Sequence, residues 1–239
     1  MTTATTRPHP TPRKSRGRSR VNWTLMMLLA LAISGYFVGQ YMTGSLQTLG
    51  HEKVGLANTY AHRPLPVQAA FYVHITTAGL ALAVGPFQFV TAIRRRRPGL
   101  HRRLGRTYVV SIALGSAAAF VMAFFSSAAV VGFFGFGSLA VLWGWTTFRG
   151  YRAARQRDFP SHRAWMIRSY ALTYAAPTLR LWLGILIGVQ ILAGRGADGQ
   201  TMYETAYAAV PFLCWLPNIV VAEFMIRRRH LPGLRLSSG

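Results

Sequence analysis

The chain has 239 residues, 51% of them hydrophobic, and carries 27 Lys and Arg against 5 Asp and Glu, a formal charge of +22. A mean hydropathy of +0.26 is high for a soluble domain, and the cations sit in short blocks between apolar runs, so the charge belongs to basic loops of a polytopic membrane protein and not to a nucleic-acid binder. The single cysteine, Cys214, excludes an intrachain disulfide and any cysteine-held zinc or iron–sulfur centre.

Met1 to Arg20 is rich in proline, threonine and arginine and free of acids, which predicts a disordered basic tail. An acid-poor start of this kind also resembles a transit peptide. Val21 to Met42 is long enough to cross a hydrocarbon core of about 30 Å. It is too long for a typical signal-peptide core and no A-x-A site follows, so it reads as an uncleaved first span. Thr43 to Pro66 is a polar connection with His51 and His62 and with room for a short interfacial helix. Val67 to Ile93 is the second span, with His74, Ala78, Ala81, Gly85, Gln88 and Ala92 on one stripe and a kink expected at Pro86.

Arg94 to Arg106 is a dense basic block that also holds His101. The third span covers Tyr108 to about Ser127, and the Gly132–Gly137 run marks a turn or loose start before a fourth span ending near Phe148. A second basic loop, Arg149 to Arg163, leads into the fifth span. From His162 to Leu192 this reads as one helix, with His162, Trp165, Ser169, Thr173, Ala176, Arg180, Gly184 and Gly188 on a polar stripe and leucines opposite. On such a helix Arg180 shares a face with His162 about 27 Å away and lies near mid-depth, where an arginine needs a partner or a role. Ala193 to Gln200 is a glycine-rich loop. The sixth span, Met202 to Ile226, contains Pro211 and Pro217, and residues 227–239 form a basic tail.

Basic blocks fall at the N-terminus and after spans two, four and six, while the other loops hold almost no Arg or Lys. This alternation predicts an all-α bundle of about six spans over residues 21–226, with both termini in the cytoplasm. The abundance of arginine and alanine fits a GC-rich bacterial genome, hence a bacterial plasma membrane. The inner arginines suit anionic lipid headgroups.

His101 and His162 open spans three and five at one depth, each followed by an arginine, Arg102 and Arg163. Two readings stand for them. Facing neutral imidazoles can hold the iron of haem b, with arginine pairing the propionates. Alternatively they are interfacial residues bonded to headgroups or helix ends. His74 reads equally as a ligand, a proton relay or a polar residue satisfied inside the bundle. Arg180 fits either a structural cap of carbonyls freed by Pro177 or a contact to a propionate, an anion or a quinone headgroup. Glu223 is placed to form a structural ion pair with Arg168 or Arg163. Gln88 and Asn218 suit interhelical bonding; together with Ser169 and Thr173 they also suit a cavity lining. No phosphate-binding loop, hydrolytic metal cluster or Ser-His-Asp set is present.

Several of these residues form a pattern. His101-Arg102-x-Leu104-Gly105-Arg106-x-Tyr108, His162-Arg163-x-Trp165-Met166-x-Arg168-Ser169-Tyr170-Ala171-Leu172, Thr178-Leu179-Arg180 and Trp215-x-x-Asn218-x-x-x-x-Glu223 resemble a bacterial family of predicted membrane proteins classed as a domain of unknown function. His74 with Gly85-Pro86-Phe87-Gln88 fits the same pattern, so the resemblance runs over residues 67–226. It implies a helical integral membrane protein and brings no established activity; any likeness to cytochrome b561 or ferric-reductase bundles is analogy of fold. Three functions follow as expectations. The first is a transmembrane electron-transfer subunit holding haem b on His101 and His162, with His74 and Arg180 nearby and a redox partner or quinone. The second is a small-solute or ion carrier with His74, Gln88, Arg180 and Asn218 around a cavity. The third is a ligand-free assembly subunit.

Overall fold

The computed structural model describes residues 16–52, 55–194 and 198–233, with side chains described from Trp23 onward except at Phe37. These residues are helical and no strand forms among them. The helices are α1 (Arg16–Gln40), α2 (Leu46–His51), α3 (Ala57–Tyr60), α4 (Leu65–Gln88), α5 (Thr91–Arg96), α6 (Pro98–Ala123), α7 (Ala129–Arg155), α8 (Phe159–Thr173), α9 (Ala175–Leu192), α10 (Gly199–Leu213) and α11 (Leu216–Arg228). Among the described residues, six stretches are long and apolar enough to cross a membrane: Trp23–Gln40, Leu65–Gln88, Pro98–Ala123, Ala129–Arg155, Ala175–Leu192 and Gly199–Arg228. Their outward side chains, among them Leu25, Val110, Val141, Val189 and Val220, are large, apolar and exposed, as a lipid-facing surface requires.

At the centre, α4, α6, α7 and α8 pack side by side. Tyr108, Ile112, Trp143, Tyr170 and Leu172 fill the space between them, joined by Val210, Cys214 and Trp215 from the α10–α11 side. With lipid as solvent, close backbone approach and interhelical hydrogen bonds hold such a bundle together. α1 lies on α4, where Ser34 Oγ donates to the Gly79 carbonyl at 3.0 Å and Trp23 Nε1 donates to the Pro86 carbonyl at 3.3 Å. A second cluster of Tyr41, Leu46, Leu49, Tyr60 and Phe71 packs the α2–α3 connection onto the far end of α4.

The structure redraws several boundaries. The stretch expected to be a disordered tail, Met1 to Arg20, is helical from Arg16, and its residues 1–15 lie outside the described residues. The second span stops at Gln88, five residues before the expected end, and an extended Val90 separates it from α5. Four successive arginines, Arg94 to Arg97, cannot follow the span into hydrocarbon, so the chain leaves the membrane before them. The third span starts ten residues early at Pro98, in the position where proline opens a helix, so the basic block around His101 is helix and not loop.

The expected turn at Gly132–Gly137 is also helix. Its glycines serve packing: a Cβ at Gly135 would lie 2.8 Å from the backbone carbon of Pro211. The fifth helix is broken, so the continuous stripe from His162 to Arg180 does not exist. Pro177 has no N–H to bond the Thr173 carbonyl, and its ring crowds the preceding turn; the break falls at Tyr174, between α8 and α9. Pro217 acts in the same way on the sixth span, which breaks at Cys214–Trp215. Asp158 caps α8, accepting from the Ser161 amide at 3.1 Å, and Asp198 caps α10, accepting from Gln200 and Thr201.

Candidate functional site

The ends of α4, α6, α7 and α8 that carry the arginine blocks converge, and the polar groups gather there. A glycine sets the spacing. A Cβ at Gly150 on α7 would lie 2.8 Å from Met166 Sδ and 3.3 Å from Trp165 Cβ, so α8 comes close only because that position is bare. The close approach lets His162 Nδ1 donate to the Gly150 carbonyl at 2.8 Å. A carbonyl can only accept, so this bond places the imidazole proton on Nδ1 and leaves Nε2 with a free lone pair when the ring is neutral. His101, on the first turns of α6, lies within electrostatic reach of His162 and of Arg94, and its Nδ1 is buried with no hydrogen-bond partner.

Beside the imidazoles runs a stack of charge and ring. Two guanidinium groups lie over the Trp165 ring, Arg149 at 5.0 Å and Arg168 at 4.7 Å from its centroid. Arg168 is 2% exposed and donates two hydrogen bonds to Glu223 of α11, Nε to Oε1 at 2.5 Å and Nη2 to Oε2 at 3.0 Å. A guanidinium this deep needs a carboxylate in fork geometry, which α11 supplies. The pair ties α8 to α11 less than two turns along α8 from His162.

Further into the bundle is a core of hydroxyls. Tyr108 Oη lies 2.9 Å from both Ser169 Oγ and Thr173 Oγ1. Thr147 Oγ1 lies 2.7 Å from Ser169 Oγ, and Trp143 Nε1 donates to Thr173 Oγ1 at 2.8 Å. Ser169 and Thr173, expected to line a cavity, are 0% and 6% exposed within this network.

The remaining expected residues lie elsewhere. His74 sits in the opposite half of α4; its Nδ1 donates to the Gly115 carbonyl at 3.0 Å, and its ring meets the edge of Trp143. It is therefore not brought to the His101–His162 pair. Gln88 Oε1 rests against bare Gly105 of α6. Asn218 bridges the two broken helices: its Nδ2 donates to Thr178 Oγ1 at 2.9 Å, to the Cys214 carbonyl at 3.1 Å and to the Ala171 carbonyl at 3.2 Å. Arg180 lies beyond the α8–α9 break, where Nη1 donates to the Ala176 carbonyl at 2.7 Å and the phenols of Tyr41, Tyr203 and Tyr207 are within electrostatic reach. Cys214 is buried. Among the described residues, no group of three or more His, Cys, Asp or Glu is placed to hold a metal ion.

Sequence reasoning missed Gly115 and Gly150, whose carbonyls orient the histidines, and gave no role to Trp143. It also gave no role to Tyr108 and Tyr170, although both stand inside the quoted motifs. The available signal was their place in the motifs, close to Arg106 and beside Arg168–Ser169.

This arrangement of apolar spans, basic ends and a buried polar centre defines a multi-pass membrane protein. Residues 71–226 match the family described as predicted membrane protein (DUF2306), and the chain belongs to it. The family has no known function. No curated protein and no solved structure matches the chain.

Proposed function

We propose that the basic end of the bundle holds haem b between His101 and His162 and that the protein is a transmembrane electron-transfer subunit. The observation that carries this reading is the His162 Nδ1–H bond to the Gly150 carbonyl, with His101 in electrostatic reach on the neighbouring helix. A histidine that ligates through Nε2 is commonly held by its other nitrogen in this way. The donor chemistry fits: two imidazoles from two helices, with Arg102 and Arg163 exposed beside them for the propionates. Bound haem b supplies one-electron chemistry at its iron. The chain's own part is to fix the His162 tautomer, to lock α8 through Arg168–Glu223, and to offer anionic lipid headgroups an arginine-rich rim.

The test is the visible spectrum of the purified full-length protein with haem supplied. A Soret band that is lost in His101→Ala and in His162→Ala and kept in His74→Ala is the expected result. No band, or a band that survives the double substitution, overturns the reading.

A second reading draws on a different observation. Two proline-broken helices face each other and are joined by Thr178 and Asn218, and interrupted helices are how many carriers build a midplane site. A carrier of small anions would use Arg180 beyond the break. It predicts thermal stabilisation by small carboxylates in haem-free protein, lost in Arg180→Ala.

A further inference from the structure

Three buried polar atoms that have no hydrogen-bond partner lie along one seam between α4, α6 and α8: Gln88 Nε2, His101 Nδ1 and Tyr170 Oη. Their order along the seam can be read from the glycines. A Cβ at Gly85 would strike the Tyr170 ring and come within 3.2 Å of Tyr108 Cε2, so both tyrosines rest on that bare backbone. One turn toward the basic end, Gln88 faces Gly105. His101 lies a further turn along the same face of α6. Tyr170 is 5% exposed and also packs on Phe89, with ring centroids 5.4 Å apart. Buried donors are almost always satisfied, and each exception calls for an explanation.

The chemistry of the three groups describes what would satisfy them. The amide and the phenol donate, and His101 Nδ1 donates in the tautomer protonated there, which is the one that leaves Nε2 free for iron; amide and phenol carry no charge, so the complement is a neutral molecule with carbonyl acceptors. Gly85 is covered by the Tyr170 and Tyr108 rings and Gly105 by the Gln88 side chain, so displacing Tyr170 and Gln88 would uncover bare backbone beside the ring faces of Tyr108 and Phe89, which suits a flat ring. Two of the three helices along the seam, α4 and α6, are long and apolar enough to span the membrane, so the molecule reaches it from lipid. We propose that the α4–α6–α8 seam binds the headgroup of a membrane quinone, with Gln88, His101 and Tyr170 donating to its carbonyl oxygens. Gln88 and Tyr170 close the seam with side chains, and the Tyr170 ring is tightly enclosed, so a headgroup enters only if Gln88 turns aside and that ring is displaced. The inference deepens the reading of His101 and His162 as a haem site and rests on it for the purpose of the bound quinone; the binding itself requires no haem.

The single cysteine supplies the assay. Cys214 is buried, so a thiol-reactive fluorophore reports unfolding of the full-length protein in detergent. The probe is decylubiquinone, whose fully substituted ring does not add to a thiol; the control is decylbenzene, which has the tail and lacks the carbonyls. Haem-free protein is expected to show a saturable rise in midpoint with the quinone and none with the control. Tyr170→Phe and Gln88→Leu are expected to bind about tenfold more weakly, the loss of one hydrogen bond each. Both variants remove an orphaned group, so without ligand they should unfold no earlier than the wild type. His162→Ala leaves the seam intact and keeps its quinone response while losing haem, so failure of one proposal is read separately from failure of the other. Absence of a saturable shift, an equal shift with decylbenzene, or full affinity in both seam variants overturns the proposal; a seam filled only by water would give the first of these.

Discussion

Gly85→Ala tests the packing at the heart of the site. The new methyl would meet Tyr170 Cε2 inside contact distance, with Cδ2 at 2.5 Å and Tyr108 Cε2 at 3.2 Å. Carbon atoms rest about 3.5–4.0 Å apart, so the Tyr170 ring must move by about 1 Å. It has little room: Tyr170 is 5% exposed and enclosed by Phe89, Tyr108 and Tyr174. Overpacking of this kind costs about 1–3 kcal/mol. Alanine returns about 1 kcal/mol of helix preference over glycine, which leaves a net loss of about 0–2 kcal/mol, or about 1–3 kcal/mol relative to an uncrowded glycine-to-alanine change. Gly184→Ala is the internal control, because nothing lies within 4 Å of its added carbon; it should be neutral or slightly stabilising. Unfolding midpoints in one detergent, read through Cys214 labelling, compare the two directly. If Gly85→Ala is as stable as Gly184→Ala, the close contact of Tyr170 with α4 is wrong, and with it the order of groups along the seam.

Three further outcomes are expected. Arg168→Gln strands Glu223 and should cost about 3 kcal/mol, whereas Arg168→Met combined with Glu223→Leu should recover most of that in equilibrium unfolding; a double variant no better than the single would deny that unpaired charge is the cost. Asp158 lies outside the spans, and hydrogen bonds from the Ser161 side chain and backbone hold its carboxyl below the usual carboxylate range. A lowered folded value means stabilisation that is present above the unfolded pKa of about 4 and fades as pH falls through the folded value. The gap in unfolding midpoint between wild type and Asp158→Ala should therefore be full at neutral pH and close on the acid side, and a gap independent of pH would refute the cap. Reporter fusions at Arg97 and Arg157 should both report the cytoplasm; opposite sides would separate His101 from His162 and end the two-imidazole reading.

The spans were legible in the sequence because lipid imposes the same demand on every outward position, so long apolar stretches alternate with basic blocks. Their ends were not. Pro98 was hidden inside a run of arginines that reads as loop, yet arginine is a good helix former once the chain is outside hydrocarbon. The Gly132–Gly137 run reads as a turn by soluble rules, and it is helix because Pro211 needs a bare surface at Gly135. The break at Tyr174 was written in Pro177, but periodicity counted straight through it. The placement of Arg168 with Glu223 could be argued from two opposite charges near one end of the bundle, whereas the bonds to Gly115 and Gly150 could not. A backbone carbonyl carries no residue identity, so a histidine bonded to one looks the same in sequence as a histidine bonded to nothing.

The hydroxyl core explains how the basic end can be held in one geometry without being packed solid. Five hydrogens are available there, from Tyr108, Thr147, Ser169, Thr173 and the Trp143 indole. They serve six contacts: Tyr108 with Ser169, Tyr108 with Thr173, Trp143 with Thr173, Thr147 with Ser169, Thr147 with the Trp143 carbonyl, and Thr173 with the Ser169 carbonyl. One contact must therefore lack its own proton. With Thr147 and Thr173 each donating to its carbonyl, the contact without a proton falls between two hydroxyls; with the hydroxyls all pointing one way along the chain, it falls at one carbonyl. Every such order links α6, α7 and α8 through groups that lipid cannot solvate. The three helices are thereby fixed two turns from His101 and His162, since Tyr108 and Ser169 each follow their histidine by seven residues. The histidine pair thus inherits its spacing from a network that contains no charged group, and substitutions in that network should move the imidazoles without touching them.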